Sequence, residues 1–321
     1  MNKNGSISGD FLKTLCHPSP LQRIFLVDSD LEIQIKRDDL IHPVVSGNKI
    51  RKLKAYLDHY ANGNYKGIIS KGGLNSNHLH ALGFVCRKLS IPFQFLIYGT
   101  HSGSNSFVLK DFLRWGISGS HIPRSFSDTD WEFYMNKFED WLYIPEGGLG
   151  QLSSVGVADL AAELPQEFDQ RGNVFALACG TGATLLGLSS CFQNAEIKWM
   201  SPVKSFSLRT TEITHFHSQL NDRLRLPFAG YSVELMNYID RFFQINGVWL
   251  DPIYTSRLFY SLDLHLQHLP FLGNVVALHS GGLQAWRQYL VRYPDAIKHL
   301  DFKALELELV KIEECVAGAI N

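Results

Sequence analysis

Apolar and polar positions change rhythm repeatedly along this chain. Short apolar runs at residues 23–27 and 32–37 flank Asp28-Ser29-Asp30 and predict two strands joined by a turn. Ile50, Leu53 and Leu57 then recur at helical spacing, with Arg51, Lys52 and Lys54 between them. That helix starts just after Ser46-Gly47-Asn48-Lys49, where Asn48 suits an N-cap and Gly47 permits close backbone approach. Residues 68–70 predict a buried strand broken by Lys71-Gly72-Gly73, and Asn75-Ser76-Asn77-His78 opens a helix. Leu79, Leu82, Val85, Cys86 and Leu89 line one face of it. A strand at 93–98, helices at 105–115 and 131–141, and a strand at 142–144 follow. The alternation predicts a small, mostly parallel βα domain over residues 52–146.

Pro145-Glu146-Gly147-Gly148-Leu149-Gly150 interrupts the rhythm and reads as the return crossing into a second domain. Beyond it lie a helix carrying Val157, Leu160 and Leu164, a strand at 173–178, and Gly180-Thr181-Gly182-Ala183-Thr184 leading into an apolar helix. Residues 197–200 suit a strand, 202–228 show no clear pattern, and 233–245 suit a helix. A buried strand at 274–278 ends at His279-Ser280-Gly281-Gly282, and 302–320 suit a closing helix. The expected large domain therefore comprises residues 1–51 and 147–321.

Composition narrows the class. The 321 residues are 45% hydrophobic and 19% charged, ordinary for a globular enzyme. Thirty basic and 31 acidic residues give a net charge of −1, so no electrostatic footprint for nucleic acid or an anionic membrane is present. No apolar run approaches a membrane span, and Met1 to Asp10 is polar. Five scattered cysteines (Cys16, Cys86, Cys179, Cys191, Cys315), without a Cys-x-x-Cys pair, point to reduced thiols in a cytoplasmic protein. His215-x-His217 and His265-x-x-His268 lack supporting ligands, so no metal site is expected.

The chemistry gathers at three places. Lys49 is an amine at a helix start, able to form a Schiff base with a carbonyl cofactor. The 180–184 turn offers free N–H groups and hydroxyls between strand and helix, the setting of a phosphate cradle or simply of a tight turn. Ser76 and Asn77 open another helix, where they serve either a small carboxylate or ordinary capping.

Each motif alone is compatible with a plain structural role. Ser-Gly-Asn-Lys-x-Arg-Lys-Leu, Gly-Gly-x-x-Ser-Asn-His, Gly-Thr-Gly-Ala-Thr and Asp251-Pro252-Ile253-Tyr254-Thr255, in this order, resemble the 1-aminocyclopropane-1-carboxylate (ACC) deaminase / D-cysteine desulfhydrase family. The resemblance runs from about Arg37 to Leu290. It implies an α/β protein of two domains with the tryptophan synthase β-like fold (fold type II), each domain a mostly parallel sheet flanked by helices. It also implies pyridoxal 5'-phosphate (PLP) as cofactor, a small amino acid as substrate, and a homodimer.

Residue by residue, Lys49 matches the lysine that carries the cofactor, and Lys52 a basic residue near its phosphate. Gly180, Thr181, Gly182, Ala183 and Thr184 match the phosphate loop. Ser76, Asn77 and His78 match the triplet around the substrate carboxylate, with Asn77 near the cofactor's phenolic oxygen. Tyr231 and Tyr254 match tyrosines that flank the substrate, with Ser76 as a further catalytic group. Thr255 matches the place facing the pyridine nitrogen. Ser256-Arg257 departs from the family's Gly-Lys, and Ser232-Val233-Glu234 from its proline-containing run. ACC deaminases carry glutamate at the Thr255 place and leucine at the Ser280 place; Thr255 and Ser280 therefore lean toward β-elimination from D-cysteine or a related amino acid. ACC deamination, a non-catalytic PLP-binding protein and a phosphate-ligand protein without PLP remain as alternatives.

Overall fold

The computed structural model describes residues 11, 15, 17–99, 106–123, 125, 126, 128–204, 217–267 and 273–320. Met1 to Asp10, Cys16, Asn105, His215, His268 and residues 205–216 of the unpatterned 202–228 segment lie outside the described residues.

Ten described strands form two sheets. The smaller has the order β5-β4-β3-β6, all parallel, from β3 (Gly67–Gly72), β4 (Phe93–Tyr98), β5 (Gly119–Ile122) and β6 (Trp141–Ile144). The larger has the order β1-β2-β10-β7-β8-β9. Its strands are β1 (Leu21–Phe25), β2 (Glu32–Lys36), β7 (Val174–Ala178), β8 (Glu196–Met200), β9 (His217–Gln219) and β10 (Val275–Leu278). Only β1 and β2 pair antiparallel, as a hairpin. β7 and β10 are buried at every position, which is why they read as continuous apolar runs rather than alternations.

Helices cover the sheets: α1 (Asn48–Asn62), α2 (Asn77–Lys88), α3 (Phe107–Arg114), α4 (Asp128–Met135), α5 (Gln151–Ala162) and α6 (Ala183–Ser189). After them come α7 (Val233–Asn246), α8 (Thr255–Leu266), α9 (Trp286–Arg292) and α10 (Phe302–Ala317). α1 packs tightly on α5 because Gly156 lies against the Arg51 carbonyl; a Cβ there would stand 1.7 Å from that oxygen. The last helix returns to the smaller sheet. Ile312 and Val316 share a core with Leu82, Val85 and Phe112, and Trp115 Nε1 donates to the Val316 carbonyl at 3.0 Å.

Several expectations shift. Lys71 and Gly72 extend β3 rather than break it, and Trp141 opens β6 instead of closing a helix. β5, α8 and α9 had no reading in the sequence. Gly119-Ser120-His121-Ile122 is polar at three of its four positions, so periodicity had little to register.

Candidate active site

Lys49 stands in the first turn of α1, and the cap of that helix is Gly47 rather than Asn48. Gly47 has φ +67°, and a Cβ there would lie 1.7 Å from the Ser280 carbonyl oxygen. Only glycine lets these two segments meet. The Gly47 N–H donates to the Asp38 carbonyl at 2.8 Å. The Gly282 N–H donates to Ser46 Oγ at 3.1 Å, across 236 residues of chain. Asn48 is already helical, and its amide donates to Thr184 Oγ1 at 2.9 Å, tying the helix start to the 180–184 loop.

Lys49 and Lys52, three residues apart on α1, both line a cavity of about 910 Å³. Neither is hydrogen-bonded to a carboxylate. Burial lowers Lys49 to about 8, offset in part by Asp251 and Asp38. Burial and the charge of Lys49 lower Lys52 to about 7. Across the cavity, between β7 and α6, the amides of Gly180, Thr181 and Gly182 find no acceptor among the described residues. Gly182 is the N-cap of α6. Cys179 precedes them, buried, with its thiol pushed up to about 12 by that burial, which makes it a filler rather than a nucleophile.

A third wall is the start of α2. Ser76 Oγ accepts from the Leu79 N–H at 3.2 Å, which leaves the hydroxyl proton free to donate. Asn77 Oδ1 is buried without a partner. His78 Nε2 lies 3.0 Å from Ser70 Oγ, whose own proton goes to the Ile144 carbonyl at 2.7 Å. Nε2 must therefore carry the proton, and burial with the nearby Lys52 and Lys49 lowers the ring to about 3. This neutral ring, anchored to β3, offers the cavity no cationic contact for a carboxylate. The backbone N–H of His78, at the helix start, is the group suited to an anion.

Tyr254 and Ser280 also line the cavity, whereas Tyr231 and Thr255 do not. Tyr231 stacks on Tyr293 at 5.4 Å. It is Tyr289 that reaches the wall, its hydroxyl donating to the Gly230 carbonyl at 3.0 Å. The Thr255 hydroxyl donates to Asp251 Oδ2 at 2.5 Å and accepts from the Asp251 N–H at 2.9 Å, so it is spent on holding Asp251 at the start of α8. Asp251 accepts from the Ile253, Tyr254 and Thr255 N–H groups as well.

Sequence reading missed other wall residues. Glu146 is the only acidic side chain on the described wall. Burial raises its carboxyl, while Lys71 and a hydrogen bond from Tyr98 pull the other way. The Pro-Glu-Gly-Gly run that holds it was read only as a crossing, although a charged residue between glycines and a proline was a signal. Gln288 and Arg292, on α9, gave no such signal because that helix was not read.

The residues present fit a phosphorylated aldehyde. A buried ammonium with no counter-ion, partnerless loop amides and a neighbouring lysine with a lowered pKa suit a dianion beside a carbonyl. Orphaned Asn77 Oδ1 and Asn48 Oδ1 lie on the same wall and mark polar groups that await a partner.

Two α/β bodies bordering a cavity with a helix-start lysine define the tryptophan synthase β-like class, fold type II. The crystal structure of an ACC deaminase homologue superposes with a TM-score of 0.69 at 21% identity, covering 92% of this chain and 95% of the other. In sequence, a Thermotoga maritima protein with the provisional name 1-aminocyclopropane-1-carboxylate deaminase is 27% identical over 299 residues, 83% of this chain and 94% of that one. The mitochondrial bifunctional D-cysteine desulfhydrase/1-aminocyclopropane-1-carboxylate deaminase of Arabidopsis thaliana is 23% identical over 84% of this chain and 78% of its own length. No protein-family model matches the chain. In sequence and fold the chain is similar to the ACC deaminase / D-cysteine desulfhydrase family, which is PLP-dependent. No described helix is long and apolar enough to cross a membrane.

Proposed function

We propose that the protein binds PLP in this cavity and catalyses β-elimination from a small β-substituted amino acid, D-cysteine or a close relative. The products are pyruvate, ammonia and the leaving group. The observation that carries the reading is the pair Lys49 and Lys52, unneutralised amines facing partnerless loop amides in one cavity.

Lys52 and the amides of Gly180, Thr181, Gly182, Ala183 and Thr184 hold the phosphate. Asn77 would contact the cofactor's ring hydroxyl, and Lys49 would hold the cofactor through its amine. When bound, PLP supplies the electron sink that makes a Cα proton removable. Ser76 and the amides opening α2 orient the substrate carboxylate. Lys49, once free, takes the Cα proton, which its lowered pKa suits to work near neutrality. The Cβ substituent then departs with its electron pair; for D-cysteine it is thiolate, and water converts the remaining three-carbon enamine to pyruvate and ammonia. Tyr254 and Ser280 flank the reacting carbons. The small body, residues 52–146, and the large body, 1–51 with 147–321, border this chemistry. With the Thr255 hydroxyl engaged by Asp251, no carboxylate comes from that place, which favours elimination over ring opening of ACC.

Release of the 2-oxo acid, measured side by side as pyruvate from D-cysteine and β-chloro-D-alanine and as 2-oxobutyrate from ACC, tests the substrate. The first two are expected to react faster, and ACC as the best substrate overturns the choice. Borohydride reduction of the holoprotein and peptide mapping are expected to place the label on Lys49; label elsewhere, or none, refutes the cofactor assignment.

A further inference from the structure

Behind the cavity lies a buried cluster that the proposed chemistry does not use. Asp111, on α3, is completely buried. Arg287, on α9, donates to both of its oxygens, Nη1 to Oδ2 at 2.5 Å and Nη2 to Oδ1 at 3.0 Å. His80, on α2, stands 2.8 Å from Oδ2 through Nε2. Being buried and lowered in pKa despite this carboxylate, the ring is the neutral Nε2–H donor. Arg114 approaches Asp111 at 3.4 Å, and Arg287 also pairs with Glu313 of α10 at 2.6 Å. Phe107 packs under the Arg287 guanidinium, 5.4 Å from ring centre to Cζ, and against His80 edge to face.

The placement of these residues matters more than their count. His80 lies one helical turn beyond Ser76, and its N–H donates to the Ser76 carbonyl at 3.0 Å. Arg287 immediately precedes Gln288 and Tyr289 on the opposite wall. The bidentate pair thus joins α3 to the α9 wall, His80 ties the α2 wall, which opens on Ser76 and Asn77, to the same carboxylate, and Phe107 lines the cavity beside them. α9 is held from its other side by Trp286, whose Nε1 donates to the Leu250 carbonyl at 3.0 Å. A guanidinium–carboxylate fork fixes both distance and angle, which a lysine pair would not.

We infer that Asp111 and Arg287 are positioning residues: their pair sets the separation of the α2 and α9 walls, and with it the geometry of the substrate-carboxylate subsite. This rests on the reading of the Ser76–Asn77 turn as that subsite. Neither residue lines the cavity, so neither touches the substrate.

The test compares holoprotein of wild type, Asp111→Asn, Arg287→Lys and Glu313→Gln. With β-chloro-D-alanine, Asp111→Asn is expected to raise KM about tenfold with kcat changed less than threefold. Arg287→Lys, which keeps the charge but loses the fork, is expected to raise KM about fivefold. Glu313→Gln removes only the outer partner and is expected to leave KM within twofold. Hydrogen exchange gives a readout that needs neither turnover nor cofactor. In Asp111→Asn the first turn of α2 and the α9 amides are expected to exchange about tenfold faster together, with α8 unchanged. Wild-type exchange in both walls, an unchanged KM, or a Glu313→Gln effect as large as that of Asp111→Asn overturns the inference. A wild type that makes no pyruvate refutes the functional reading instead, and the exchange result still decides whether the pair holds the walls.

Discussion

Arg51 and Lys52 are neighbours on α1 and both are buried, yet they meet opposite surroundings. Arg51 donates to Asp38 through Nε at 2.7 Å and to Glu163 through Nη1 at 2.7 Å. Lys36 closes the group by pairing with Glu163 at 2.6 Å, so two cations face two anions. Against the cost of burial, these carboxylates hold the guanidinium firmly charged. Lys52 has no such partner, and its pKa falls toward neutrality. A buried cation supplied with counter-ions is scaffold, whereas one left without them is a place where the protein expects an anion from outside.

The sharpest way to break this contrast is to remove each cation in turn. Arg51→Gln strands two carboxylates with Lys36 alone and is expected to cost about 3–5 kcal/mol. Urea unfolding measures it, and an unshifted midpoint would remove the scaffold half of the contrast. Lys52→Gln removes a charge that nothing inside the protein neutralises, so the apoprotein should keep its urea midpoint. Its affinity for PLP should fall about 30-fold, the worth of one charge-assisted hydrogen bond of ~2 kcal/mol. Affinity for pyridoxal, which lacks the phosphate, should change less than threefold; equal losses for both ligands would move Lys52 away from the phosphate.

The smallest expected effect is a pH profile. On the proposed function the nucleophile toward PLP is the neutral amine of Lys49, and its lowered pKa of about 8 leaves roughly a tenth of it neutral at pH 7. Stopped-flow capture by the apoprotein should therefore rise nearly tenfold per pH unit below 8 and level off above it. A rate still climbing at pH 10 would mean an ordinary lysine, and the lowering by burial seen at Lys52 would not extend to Lys49.

The sequence carried the local part of this site well and the long-range part poorly. Lys49, Lys52, Ser76, Asn77 and the 180–184 loop each sit beside a glycine or a helix start, features written within a few residues, and the structure gathers them at one cavity. Arg51 read as one more polar position between Ile50 and Leu53, because Asp38 and Glu163 are remote in sequence. Tyr231 comes from the resemblance alone, and Tyr289 carries no signal in the sequence; which of them faces the cavity goes with their packing on Tyr293. Thr255 shows the same limit. Its motif was visible, but whether its hydroxyl pointed to a ligand or to Asp251 was a matter of three-dimensional capping. Apart from β5, the alternating strands and helices between residues 67 and 144 were legible, with β3, α2 and β4 largely apolar over their own lengths.

The contact of Gly47 with Ser280 also governs when the site can exist. Beside it, the hydrogen bond between Ser46 and Gly282 spans 236 residues, a loop closed late, since local helices and hairpins form long before such distant segments meet. A nascent chain that has not yet produced Ser280 holds every strand of the smaller sheet and the lysine itself, but not the backbone wall against which that lysine's helix begins. Capture of the proposed cofactor therefore waits on the segment around Ser280, and binding it would report that this long-range wall has formed.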